Sequence, residues 1–373
     1  MKNYSTKTAF FLFAGDLILI FGILLLLEVF FRLFPVASPN RILRNVYEPV
    51  NKYGGYQFKA GARTICNNGF GDHPFEINSW RCRDKEYGEK QDGEFRILCV
   101  GDSFNENQAV AVEDIYPNVL EKLLSDKYLL KSFSVINAGM AGWGLWSIYE
   151  YLEDMLSTVK PDVVIVGFEA SAKAVTKAVR PPFKEKIIFA GLPIDKEAPM
   201  SQRLKWGAWF INQTLECYSY AYSAFRTVSW YPFAWMKIVP EPQFHPMSTI
   251  PNYYEKTFQP TLDVTRRLKS LCEENRCKLV ILNIPLHYEC RRDASWLKTQ
   301  LETPDVTMLD VTRPSRFIKE IGHKLNTPVY DPSKELHDSI EPPYFPRFYH
   351  WNKCGNIIVA SGLLHLITSS RFF

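Results

Sequence analysis

Four short apolar runs limit most strongly what this chain can fold into. They are FRILCVG (95–101), FSVIN (133–137), PDVVIVGF (161–168) and KLVILNI (278–284). Each is bounded by charge, proline or glycine, and each is apolar at successive rather than alternate positions. A strand of that kind is covered on both faces, the situation of strands in a parallel sheet flanked by helices. The segments between them fit that arrangement. From Asp114 to Lys127, Tyr116, Val119, Leu120, Leu123 and Leu124 recur with helical spacing. Trp146–Leu156, Thr257–Glu274 and Asn356–Ile367 read as further helices, and Val306–Val311 as one more strand. The expected fold class is α/β, a three-layer α/β/α sandwich with a parallel sheet.

A second feature precedes this pattern. From Thr8 to Leu27 the only charged residue is Asp16, and the apolar character continues to Phe34 before Pro35. About 20 helical residues span a bilayer core, so residues 8–34 are expected to form one transmembrane anchor. Glu28 and Arg32 are placed to pair one turn apart near its end. A carboxylate within such a segment, Asp16, is expected to be protonated or bonded to a partner helix. Lys2, Lys7 and Val36-Ala37-Ser38 also resemble parts of a cleaved signal peptide, but the length of the apolar stretch and Pro39 favour a retained anchor. The lysines place the N-terminus in the cytoplasm. The main domain is then expected on the periplasmic side of an inner membrane.

The remaining divisions follow composition. Residues 35–94, with Pro35, Pro39, Pro49 and Pro74, read as a linker and N-terminal cap. Residues 95–373 form the α/β domain, interrupted at about 176–255 by an insertion rich in Trp, Tyr and Phe. Those aromatics suit a sugar-stacking or lipid-facing surface, or the small core of a helical subdomain; helical spacing favours the latter. The net charge of +4 is too small and too dispersed for a nucleic-acid partner. The eight cysteines contain no CxxC pair, so no zinc or redox motif is implied, and no cofactor or metal is expected. Cys66 with Cys82, or Cys272 with Cys277, can form disulfides in an oxidising compartment.

Three motifs carry chemistry. Gly101-Asp102-Ser103-Phe104 directly follows the first strand, where ligand sites of open parallel sheets lie. A serine there can begin a helix whose N–H groups and dipole favour a developing anion. Asn137-Ala138-Gly139-Met140-Ala141-Gly142 follows the second strand, and a glycine there either brings its N–H to a substrate oxygen or simply makes a tight turn. His350-Trp351-Asn352 precedes the last helix, and histidine is the usual general base for a serine nucleophile.

The order GDSF, VINAGMAG, PDVVIVGF and YHWNKCG resembles the SGNH (GDSL-type) hydrolase family. Asn78-Ser79 and Arg81–Asp84, with the anchor, resemble its membrane-anchored bacterial members. The resemblance covers most of the chain except the insertion. It implies Ser103 as nucleophile and oxyanion donor, Gly142 as second donor and His350 as base. Three departures stand against it. Ser171, with Glu169 nearby, occupies the place of the family's third donor, an asparagine. Phe348 and Arg347 stand where an aspartate should orient the histidine. Asn105, Glu106 and Asn107 replace small or apolar residues after the serine. Asp338, Glu341 and Glu106 are candidate compensating acids.

Two functions are compatible with these residues. One is a membrane-anchored ester hydrolase or O-acyl transferase acting on an acylated envelope polysaccharide or lipid. The other is a catalytically inactive descendant that binds or scaffolds protein partners in an envelope assembly. The retained serine and histidine favour the first.

Overall fold

A computed structural model describes residues 6–34, 46–66, 72–169, 185–189, 192–219, 221, 253–287, 289–290, 310, 312–345, 350–370 and 372. The chain divides into two units. One comprises residues 1–42, 67–72 and 199–241; the other comprises the rest.

In the first unit, helix α1 spans Thr6–Leu33, and its 28 residues cover roughly 42 Å at 1.5 Å per residue. Phe13–Leu33 is long and apolar enough to cross a membrane, and no part of it is buried within the protein. Arg32 Nε donates to Glu28 Oε1 at 2.8 Å, the one-turn pairing expected from spacing. The other Glu28 oxygen accepts from Ser219 Oγ at 2.8 Å and Ala221 N at 3.1 Å. Ser219 directly follows the insertion helix Met200–Tyr218, so the insertion and the apolar helix are joined within this unit.

The second unit is built on five parallel strands: β5 (Glu94–Gly101), β6 (Ser132–Gly139), β7 (Val163–Phe168), β10 (Lys278–Asn283) and β11 (Val329–Tyr330). Their order across the sheet is β6-β5-β7-β10-β11. In chain order this is 2-1-3-4-5, a doubly wound sheet whose direction of growth reverses between β5 and β7. Alternate residues face opposite cores. Leu98, Val100, Ile136, Ala138, Val164, Val166, Leu279 and Ile281 pack with Leu145–Val159 (α4), Tyr253–Glu274 (α6) and Arg313–Leu325 (α7). Ile97, Cys99, Val135, Val163, Ile165, Val280 and Leu282 pack with Tyr116–Lys127 (α3), Ser333–Asp338 (α8) and Lys353–Ser369 (α9). Each fully buried Leu, Ile or Val contributes about 1.5–3 kcal/mol, which is why apolar runs without alternation select this three-layer arrangement.

The N-terminal part of this unit holds two antiparallel pairs, β1 (Tyr47–Pro49) with β2 (Tyr56–Phe58), and β3 (Arg63–Cys66) with β4 (His73–Glu76). Tyr47, Tyr53, Phe58, Phe75 and Ile77 enter the same core as the α4 face of the sheet. A further hairpin, β8 (Lys186–Phe189) and β9 (Leu192–Asp195), begins the insertion. The expected strand at 306–311 lies outside the described residues except Asp310, which is in no strand. The described fifth strand is the two-residue β11, preceded by α7, a helix outside the segments that the sequence pattern predicts. The seven described cysteines are all free thiols; Cys277 donates to the Cys272 carbonyl at 3.3 Å.

Candidate active site

β5 ends at Gly101 beside the reversal point of the sheet, and Ser103 begins the next helix, α2 (Ser103–Glu106). Asp102 caps this helix, accepting from Phe104 N at 2.9 Å. The helix is a single turn, ended by Asn107 at φ +38°. It therefore offers Ser103 the local N–H groups expected of a helix start, with only a single turn's dipole behind them.

His350 arrives from the far end of the chain. Its Nε2 lies 2.9 Å from Ser103 Oγ. Its ring stacks on Phe104, with centroids 4.4 Å apart and planes 25° apart. Two backbone contacts hold its C-terminal side: the His350 carbonyl accepts from Phe345 N at 2.9 Å, and Trp351 bridges to Tyr344. The Trp351 side chain is fully buried against Phe104 and Tyr116. Its carbonyl accepts from Asn107 Nδ2 at 2.9 Å, tying the histidine segment to the end of the serine helix.

The three polar residues after the serine, which read as departures, are fully buried and each has structural work. Asn105 fills a space framed by glycines at the ends of three adjacent strands. A Cβ at Gly101, Gly139 or Gly167 would lie 2.2, 2.1 or 2.7 Å from an Asn105 side-chain atom. Asn105 Nδ2 donates to Tyr116 Oη at 2.7 Å, and its backbone carbonyl accepts from Asn137 Nδ2 at 3.0 Å. Asn107 makes the bond to Trp351 already described. Both Glu106 carboxylate oxygens are engaged: Oε2 accepts from Ala141 N at 2.5 Å and Oε1 from Gln108 Nε2 at 2.5 Å. Burial pushes the Glu106 carboxyl up to about 6, against the pull of the Ala141 N–H and Gln108.

Two cap residues support this turn from behind. Arg83, fully buried, donates to the carbonyls of Glu106, Asn107 and Val110 at 2.6–2.8 Å. Asp84 accepts from Asn137 N at 2.8 Å and Tyr87 Oη at 2.9 Å, and burial raises its carboxyl to about 6. Gly142 has φ +81°, a conformation that a side chain strains, and a Cβ there would lie 2.6 Å from Tyr56 Oη.

Of the other residues singled out in the sequence, Ser171, Arg347 and Phe348 lie outside the described residues. Asp338 bonds Lys334 Nζ at 3.0 Å on the exposed face of α8, and Glu341 is exposed. Burial, and then the neighbouring Glu169 carboxylate, push the Glu289 carboxyl well above its usual range. Among the described residues no His, Cys, Asp or Glu cluster could hold a metal ion. The bracing roles of Tyr56, Arg83 and Tyr116 are not legible in the sequence, although Arg83 lies in the Arg81–Asp84 segment and Tyr116 on the apolar face of α3. The signals present are that segment and the run of three consecutive polar residues, Asn105 to Asn107.

No protein-family profile and no curated protein matches the chain. Solved structures similar to it include TesA (10% identity, 74% of this chain and 98% of that one, TM-score 0.39). Axe2, an acetylxylan esterase from Geobacillus stearothermophilus, is 14% identical over 73% of this chain and 94% of its own, with a TM-score of 0.40. A protein described as lipolytic and of the G-D-S-L family, from Desulfitobacterium hafniense DCB-2, is 12% identical over 73% and 98%, with a TM-score of 0.38. These neighbours are SGNH/GDSL-type esterases, the family that the sequence motifs resemble.

Proposed function

We propose that the chain is an acyl-transfer enzyme, an ester hydrolase or O-acyl transferase held to a membrane by α1. The observation that carries this reading is the 2.9 Å approach of His350 Nε2 to Ser103 Oγ at the reversal point of the sheet. In this reading Ser103 Oγ attacks an acyl carbonyl while its proton passes to His350 Nε2. The carbonyl oxygen, now negative, is met by the Ser103 and Gly142 N–H groups; Ser171 is the candidate third donor. Collapse of the adduct breaks the ester bond, and His350 returns the proton to the departing alkoxide. Water or a sugar hydroxyl then attacks the acyl-serine by the same steps in reverse.

A triad aspartate normally holds the imidazole, and the sequence has Arg347 and Phe348 at its positions. The Phe104 ring and the backbone contacts of His350 contribute to its orientation here. Loss of the acid from a true triad, where no other group compensates, costs about 10⁴ in rate. An apolar N-terminal helix supports a substrate at the envelope, an acylated polysaccharide or lipid on the periplasmic side.

The test is hydrolysis of an activated acetate ester by the full chain in detergent, beside Ser103→Ala. Turnover in the wild type that falls to background in the variant is the expected result. Equal background rates in two folded samples would refute acyl transfer and leave a binding component of an envelope assembly.

A further inference from the structure

Resting on this reading, we infer that Tyr56 of the N-terminal cap is a positioning residue that aims the Gly142 N–H, so that the cap completes the oxyanion site. The argument begins with peptide planarity. In a trans peptide the C=O of one residue and the N–H of the next lie in one plane and point in opposite directions. Among the described residues no peptide is cis. The direction of the Ala141 carbonyl therefore fixes the direction of the Gly142 N–H.

That carbonyl is held. Tyr56 Oη donates to Ala141 O at 2.5 Å. The preceding peptide is held as well, because Ala141 N donates to Glu106 Oε2 at 2.5 Å. The two peptides flanking Ala141 are thus gripped from opposite sides. One grip comes from the serine helix and the other from β2, 85 residues earlier in the chain. The same hydroxyl occupies the space that a Cβ on residue 142 would need. At φ +81° Gly142 has a backbone conformation open to glycine, and the Tyr56 bond is a direct restraint on the peptide that carries its N–H. Burial raises the Tyr56 phenol far above its usual value, which keeps it a neutral donor. Arg83 and Asp84 brace the serine helix and β6 from the same cap, so Tyr56 belongs to a set of cap residues gripping the two loops of the site.

Tyr56→Phe removes the hydroxyl and keeps the ring. The full chain in detergent is assayed with an activated acetate ester and with an alkylboronic acid, a mimic of the tetrahedral adduct on Ser103. An oxyanion donor is worth about 10²–10³ in rate, and a residue that only aims one is expected to cost about tenfold. The expected result is a kcat about tenfold lower, KM within twofold and boronate affinity reduced by a factor similar to that in kcat. Tyr53→Phe is the control, because that hydroxyl bonds Asp154 on α4; its kcat is expected to be unchanged. A folded Tyr56→Phe protein with wild-type kcat and boronate affinity, when Ser103→Ala is inactive, overturns the inference and leaves acyl transfer standing. A fall in melting temperature with unchanged kcat per folded molecule also overturns it. A wild type no faster than Ser103→Ala removes the acyl-transfer reading and this inference together.

Discussion

The space around Asn105 permits a double-mutant test of how the site is held. A Cβ at Gly167 would lie 2.7 Å from Asn105 Oδ1 and 3.2 Å from Ile284 Cδ1. Gly167 has no positive φ, so alanine is acceptable to its backbone and the cost is steric. Ordinary contact begins near 3.4 Å, so the Asn105 amide must retreat by about 0.7 Å. It cannot do so and keep its 2.7 Å bond to the buried Tyr116 hydroxyl. Overpacking costs roughly 1–3 kcal/mol and a lost buried hydrogen bond roughly 1 kcal/mol. Gly167→Ala is therefore expected to destabilise by about 2–4 kcal/mol. Asn105→Ala removes the atom in the way, so in that background the Gly167 change is expected to cost no more than about 1 kcal/mol. The resulting coupling is about 1–3 kcal/mol, measurable by urea unfolding of the full chain in detergent for all four members of the cycle. Additive effects within about 0.5 kcal/mol would refute the packing argument, because residues in contact should not behave independently.

Two further outcomes follow from the same turn. Asn107→Ala, which releases the Trp351 carbonyl, should cost about 1 kcal/mol of stability and lower kcat about tenfold with little change in KM; an unchanged kcat would show that His350 is placed without it. Asp84 and Glu106 each have a carboxyl raised to about 6 from 3.8 and 4.5. Between those values the folded chain holds more protons than the unfolded one, so their contribution to stability is greatest below about pH 4 and is lost as pH rises to about 6. At 1.36 kcal/mol per pKa unit the losses are roughly 3 and 2 kcal/mol. The unfolding free energy of wild type minus that of Asp84→Asn/Glu106→Gln should fall between pH 4 and pH 7; a difference that rises would reverse the assignment.

The sheet was legible because burial on both faces leaves nothing polar in a strand: β5, β6, β7 and β10 all stand where apolar runs predicted them. Helices α3, α4, α6 and α9 announced themselves by spacing. β11 was not legible, since two residues carry no period. The cap strands were not legible either, since their residues join the core singly. At the candidate site, Ser103 and His350 stand out in the sequence as chemically specific residue types, whereas Gly142 stands out only through the family resemblance. The meaning of Asn105, Glu106 and Asn107 could not be read. A buried polar residue is recognised by its partners, and those partners (Tyr116, Ala141 and Trp351) lie 11, 35 and 244 residues away.

The distance along the chain between Ser103 and His350, 247 residues, also sets a schedule. At a synthesis rate of about 5–20 residues per second, the serine leaves the ribosome roughly 12–50 s before its histidine. The strands on both sides of Ser103, and the cap that braces it, are complete long before then. A nascent chain therefore carries a nearly finished pocket whose serine has no base. Competence to react arrives late, with the segment that also brings Trp351 and α9 into the core, so that completion of the fold and completion of the site are one event.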